Sequence, residues 1–136
     1  MRNIDADSTV KIVEELEHES RKLADADVGA VLLAATAPTS RKGMGYDREL
    51  LKRIQDASGK PATTASTSML EAFAVLGISR VALAAPWSDE VNRTVAGFIQ
   101  ANGVEVTNHQ GLGEHFGQPF EHAGRSVGML CTQLPG

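Results

Sequence analysis

The sequence is poor in the features that mark several large classes of protein. It carries one cysteine, Cys131, in 136 residues. No intrachain disulfide can form, and a reducing cytoplasm is the expected compartment. Aromatic residues make up only 4% of the chain, which leaves few rings to stack on bases. Lys and Arg number 13 against 17 Asp and Glu, for a net charge of −4. That balance lacks the basic excess that nucleic-acid phosphates demand, so no nucleic-acid partner is expected. No apolar run approaches the length of a membrane span, and the N-terminal MRNIDADSTV has no apolar core of a secretory signal. There is no P-loop, no Gly-x-Ser-x-Gly elbow, no internal repeat and no low-complexity segment.

What remains is the composition of one globular domain, 42% hydrophobic and 22% charged. Apolar spacing predicts an amphipathic helix over Ser8 to Ala24, with Ile12, Leu16, Ser20 and Ala24 on one face. VGAVLLAA (Val28 to Ala35) has no polar face and reads as a strand buried on both sides. YDRELLKRIQDAS is a second helix with Leu50, Leu51, Ile54 and Ala57 as its stripe, stopped by Gly59 and Pro61. PATTA is a short strand. STSMLEAFAVLG is a third helix, with Ser68 and Glu71 as a capping box and Gly77 just past its end. RVALAA (Arg80 to Ala85) is the next strand. Ser88 caps a helix over SDEVNRTVAGFIQANG, closed by Gly103, and VEVT begins another strand.

Strands alternating with helices predict an α/β fold, a parallel sheet flanked by helices. Sites in such folds lie beyond the carboxyl ends of the strands. Three loops therefore converge: Ala35 to Ser40, Thr63 to Ser68 and Ala85 to Asp89. The pattern degrades from Asn108 onward, so residues 1–107 are expected to form the α/β lobe. Residues 108–136 are expected to be an irregular tail, with one short apolar strand at Val127 to Cys131.

The hydroxyl-rich TTASTS (Thr63 to Ser68) opens a helix, where free N–H groups hold carboxylates or phosphates; the plainer alternative is that these residues only cap the helix. Cys131, in MLCTQLPG, ends an apolar stretch, and a thiol there can transfer a proton or simply lie buried and inert. His109, His115 and His122 do not pair at helical spacing and Gly and Pro intervene, so no metal is expected. His18 lies on a charged helix face and is expected to be solvated. GLGEHFG has its third glycine at the wrong spacing for a dinucleotide loop.

The run from Asp25 to Val106, above all GKPATTASTSMLEAFAVLGISRVALAAP and SDEVNRTVAGFIQANG, resembles one branch of the aspartate/glutamate racemase superfamily. That branch contains the maleate cis-trans isomerases and arylmalonate decarboxylases. The resemblance implies one Rossmann-like (flavodoxin-like) lobe of a normally two-lobed fold, with 108–136 as a remnant of the second lobe. It also implies cofactor-independent proton transfer by cysteine on a small dicarboxylate or arylmalonate-like substrate. In the isomerases a Cys-Thr pair follows the first strand; here that pair is Ala35-Thr36, so the first cysteine position is occupied by a methyl group. Cys131 stands where the second-lobe thiol belongs. The resemblance places Thr36, Ala37, Thr64, Ser66 and Thr67 around the substrate carboxylate, with Trp87 where the decarboxylases have a tyrosine. Two readings follow: an isomerase or decarboxylase of this branch with impaired activity, or a non-catalytic carboxylate-binding or structural domain. An incomplete sheet would expose apolar surface, so homo-oligomerisation is expected.

Overall fold

The computed structural model describes the backbone of residues 6–111. Two helices, α1 (Ala6–Glu14) and α2 (Leu16–Asp25), replace the single one expected. The break at Glu15 is slight: its N–H still bonds the Lys11 carbonyl, and its carbonyl accepts the Glu19 N–H. The inward face also differs from expectation. Thr9, Val13, Leu16 and Ser20 are buried, whereas Ile12 is exposed, because Val13 packs with Leu50 and Ile54. Ser20 can sit inside because its hydroxyl donates to the Leu16 carbonyl at 2.7 Å.

Strand β1 (Val31–Leu33) is shorter than expected and is buried on one side only. Val31 and Leu33 join the core, but Leu32 points the other way and is 58% exposed. Helix α3 (Thr36–Ser40) follows at once, then α4 (Tyr46–Ser58). Leu50 and Ile54 form the fully buried stripe of α4, with Leu51 and Ala57 at its margins. Gly59 ends this helix at φ 66°, a left-handed conformation that costs glycine least.

Strand β2 (Ala62–Thr64) runs straight into α5 (Ala65–Leu76). The expected Ser68–Glu71 capping box does not form. Thr64, still extended at φ −121° and ψ 159°, caps α5 by accepting the Thr67 N–H, so the cap lies four residues before Ser68. The Ser68 hydroxyl instead meets that of Thr63 at 2.9 Å. Strand β3 (Arg80–Ala85) and helix α6 (Asp89–Ala101) lie as expected, with the Ser88 side chain accepting the Val91 N–H. Strand β4 (Glu105–Gly111) continues four residues past the expected end of order at Thr107.

The parallel pairing anticipated from βα alternation is present as two ladders, β1–β2 and β3–β4. Each has its own core. Val13, Leu16, Val31, Tyr46, Leu50 and Ile54 pack α1, α2 and α4 against β1. Ala37, Val91, Val95, Phe98, Ile99 and Val104 pack α6 and the start of α3, with α5, β3 and β4 closing over them. A bidentate ion pair clips α2 to α4: Arg53 Nε and Nη2 donate to the two Glu17 carboxylate oxygens at 2.6 and 2.9 Å. No helix of the described residues is long and apolar enough to cross a membrane.

Candidate functional site

The three strand-end loops do come together, through hydroxyl groups and a shared core. Ser66, in the first turn of α5, lies 2.6 Å from the Thr39 hydroxyl and 3.0 Å from that of Ser40, both on α3. Thr39 donates to the Ala35 or Thr36 carbonyl and Ser40 donates to the Thr36 carbonyl. Since one hydroxyl has one proton, the Ser66 proton goes to Thr39, to Ser40 or to the Thr36 carbonyl 3.4 Å away. All three side chains are sealed from solvent. α3 and the N-terminus of α5 are therefore locked edge to edge without water.

A second chain of hydroxyls runs the other way from the same helix end. The Thr64 oxygen takes the Thr67 N–H at 3.0 Å and meets the Thr67 hydroxyl at 2.9 Å. Thr67 spends its proton on Asp47 Oδ2, 2.8 Å away in the first turn of α4. The only arrangement that satisfies all three contacts has Thr64 donating to Thr67 and Thr67 donating to the carboxylate.

Thr64, Ser66 and Thr67 thus stand together, but their hydroxyls are engaged within the protein. The Thr36 hydroxyl enters none of these bonds, and its side chain is half-buried where β1 gives way to α3. Ala37 turns its methyl into the core with Val91 and Val95, so only its backbone can face a ligand. Ala35, half-buried beside Thr36, closes β1 in an extended conformation. Trp87 is half-buried against the same core cluster as Ala37, which brings the β3–α6 loop alongside α3. Cys131, His115 and His122 lie outside the described residues. His109 is exposed on β4, and no group of three or more His, Cys, Asp or Glu that could hold a metal occurs among the described residues.

Two participants, Asp47 and Asn92, escaped the sequence reading, whereas Thr39 and Ser40 lie in the Ala35 to Ser40 loop it singled out. Thr39 and Ser40 are the partners of Ser66, and Asp47 anchors Thr67. Asn92, in α6, is fully buried with neither side-chain polar atom hydrogen-bonded. It lies beside Gly111, where a Cβ would come within 2.6 Å of the Trp87 carbonyl and 3.3 Å of the Asn92 amide nitrogen. Glycine is needed there for β4 to pass so close to the β3–α6 loop. The acidic first turn of α4 was the one available signal for Asp47; nothing local distinguished Asn92.

The comparisons with known proteins bear on the family and the fold. The family model for arylmalonate decarboxylase matches residues 1–115. The chain is 30% identical over 102 residues to an arylmalonate decarboxylase of Bordetella bronchiseptica, covering 75% of this chain and 42% of that one. It is 26% identical over 117 residues to a maleate isomerase of Pseudomonas putida, covering 82% of this chain and 47% of the relative. Among solved structures, it superposes on an arylmalonate decarboxylase with TM-score 0.70 and 30% identity, over 74% of this chain and 46% of the other. It shares the fold of the maleate isomerase Iso from Pseudomonas putida S16, with TM-score 0.78 and 21% identity, over 82% and 47%. The chain spans somewhat less than half the length of these relatives.

Proposed function

The chain belongs to the arylmalonate decarboxylase family, and on that premise we propose that it binds a small dicarboxylate at the end of β1 and acts on it by one-base proton transfer. One substrate carboxylate lies against the Thr36 hydroxyl and the backbone N–H groups at the starts of α3 and α5. Thr64, Ser66 and Thr67 shape this cradle from beneath, and Trp87 closes its side. The observation that carries this reading is the Thr36 hydroxyl, which makes no hydrogen bond among the described residues while its neighbours' hydroxyls are engaged.

Ala35 has no ionisable group, so a two-base isomerisation or racemisation within one chain lacks one of its bases. Decarboxylation needs only one. A malonate-type substrate loses CO₂, its electrons pass into an enediolate held by the cradle, and the Cys131 thiol supplies the proton to carbon. The thiolate then regains a proton from water. Stabilising the developing charge and positioning the proton donor are the two contributions required, and a positioned acid or base is worth roughly a hundred- to ten-thousandfold. No cofactor takes part.

A second reading is a carboxylate-binding domain without turnover, favoured by Ala35, which has no acid or base to offer at the end of β1. One experiment separates the two. The protein is incubated with phenylmalonate, maleate and aspartate in deuterated water and followed by NMR. Decarboxylation of phenylmalonate with deuterium at the new C–H bond, lost in Cys131→Ala, supports the first reading. Dicarboxylate binding without turnover supports the second, and neither binding nor turnover removes both.

A further inference from the structure

We propose that the groove between α4 and α5 is a second binding site, for an organic ammonium ion carrying a small apolar body. Asp47 carries the argument. Its side chain is only 2% exposed, yet a single hydroxyl, that of Thr67 on Oδ2, serves a group with about four acceptor positions. Among the described residues the polar side-chain atoms that are both sealed and unpartnered belong to Asn92 alone. The second Asp47 oxygen is not among those sealed atoms, and Asp47 is one of the residues that line the groove.

That groove has a volume of about 320 Å³, within the range of small-ligand clefts. Leu70, Phe73, Ile78 and Val104 form its apolar walls. Arg48 and Glu71 stand at its rim, both exposed, and Arg48 forms no ion pair with Asp47. Two carboxylates and one guanidinium leave the groove one unit negative. A nearly buried carboxylate with a vacant oxygen is costly unless a cation or strong donor pairs with it. An ammonium group supplies both, and the apolar walls take the carbon body attached to it. The site shares Thr67 with the floor beneath Thr36 but does not include Thr36, and it does not depend on the proposed reaction.

The test is a titration of the ¹⁵N-labelled full-length chain with 2-phenylethylammonium and with its neutral isostere 2-phenylethanol. Saturable amide shifts confined to the neighbourhoods of residues 47, 67, 70–74 and 102–104 are expected. The ammonium should bind at least about tenfold more tightly than the alcohol, the difference expected of a charge-assisted hydrogen bond. Asp47→Asn retains an acceptor for Thr67 and should bring the two affinities together. Ala74→Trp, at an exposed position lining the groove, should block both without touching the carboxylate and remains decisive if Asp47→Asn does not fold. Equal affinity for the two probes, absence of saturation, or undiminished ammonium binding in Ala74→Trp would overturn the proposal.

Discussion

The floor beneath Thr36 and the loop beside Gly111 solve the same problem in opposite ways. Both lie at carboxyl ends of parallel strands, where helices begin and backbone groups lack regular partners. Under Thr36, five side-chain hydroxyls and one carboxylate from α3, α4 and α5 are buried and joined by hydrogen bonds. Beside Gly111, one fully buried amide, Asn92, has no hydrogen-bond partner among the described residues. In the first region each hydroxyl has a side-chain partner, and Asp47 has one on Oδ2. The second holds Asn92 buried on α6, the helix that supplies Val91, Val95, Phe98 and Ile99 to the neighbouring core. A density of hydroxyls is therefore not by itself a binding site. The Thr36 hydroxyl, which the network among the described residues leaves out, is the proposed ligand contact.

Substitutions can break this contrast at several strengths. The largest effect is expected in the core that supports the second region: Phe98→Ala should cost about 3–5 kcal/mol, read as a large fall in melting temperature. Two resolved transitions in wild type, with only one shifted by Phe98→Ala, would show that the two cores unfold separately. Ser66→Ala comes next. It strips the buried Thr39 and Ser40 hydroxyls of a shared partner and should cost about 1–3 kcal/mol, while Thr36→Val should change stability by no more than about 0.5 kcal/mol. Equal losses for the two would mean that Thr36 is tied into the network.

Asn92→Leu sharpens the contrast from the other side. Removing two unsatisfied polar atoms and filling their space with carbon should raise stability by about 1 kcal/mol; a clear loss would show that Asn92 has a partner in solution. The smallest effect is at the partly exposed clip between α2 and α4. Hydrogen bonding to Arg53 holds the Glu17 carboxyl below its usual value of 4.5. A depressed carboxylate contributes stability that is present above its unfolded pKa and lost as pH falls through the folded one. Glu17→Gln should thus cost at most about 1 kcal/mol at pH 7, and the difference from wild type should shrink in thermal melts below pH 4.

The elements with local signals were legible. The βα alternation, the Leu50–Ile54 stripe, the Ser88 cap and the glycines at positions 59 and 77 depend on residues close together in sequence. The α5 cap was misassigned because Thr64, Ser66 and Ser68 are all capable caps, and the choice fell to the one that β2 delivers in extended conformation. The grouping of hydroxyls was legible as composition and family pattern. Their division into engaged and free was not, because it rests on contacts across 20 to 27 residues, Thr67 with Asp47 and Ser66 with Thr39. The inward turn of Ala37 likewise depends on α6, which follows more than 50 residues later.

The central claim is that Thr36 binds the carboxylate while Ser66 and Thr67 hold the floor. It is tested most directly by titrating maleate into ¹⁵N-labelled wild type, Thr36→Val and Ser66→Thr while following the amides of residues 35–37 and 65–67. Saturable shifts at those amides in wild type, at least about tenfold weaker in Thr36→Val and retained in any Ser66→Thr that stays folded, are predicted. Binding that survives unchanged in Thr36→Val would contradict the account.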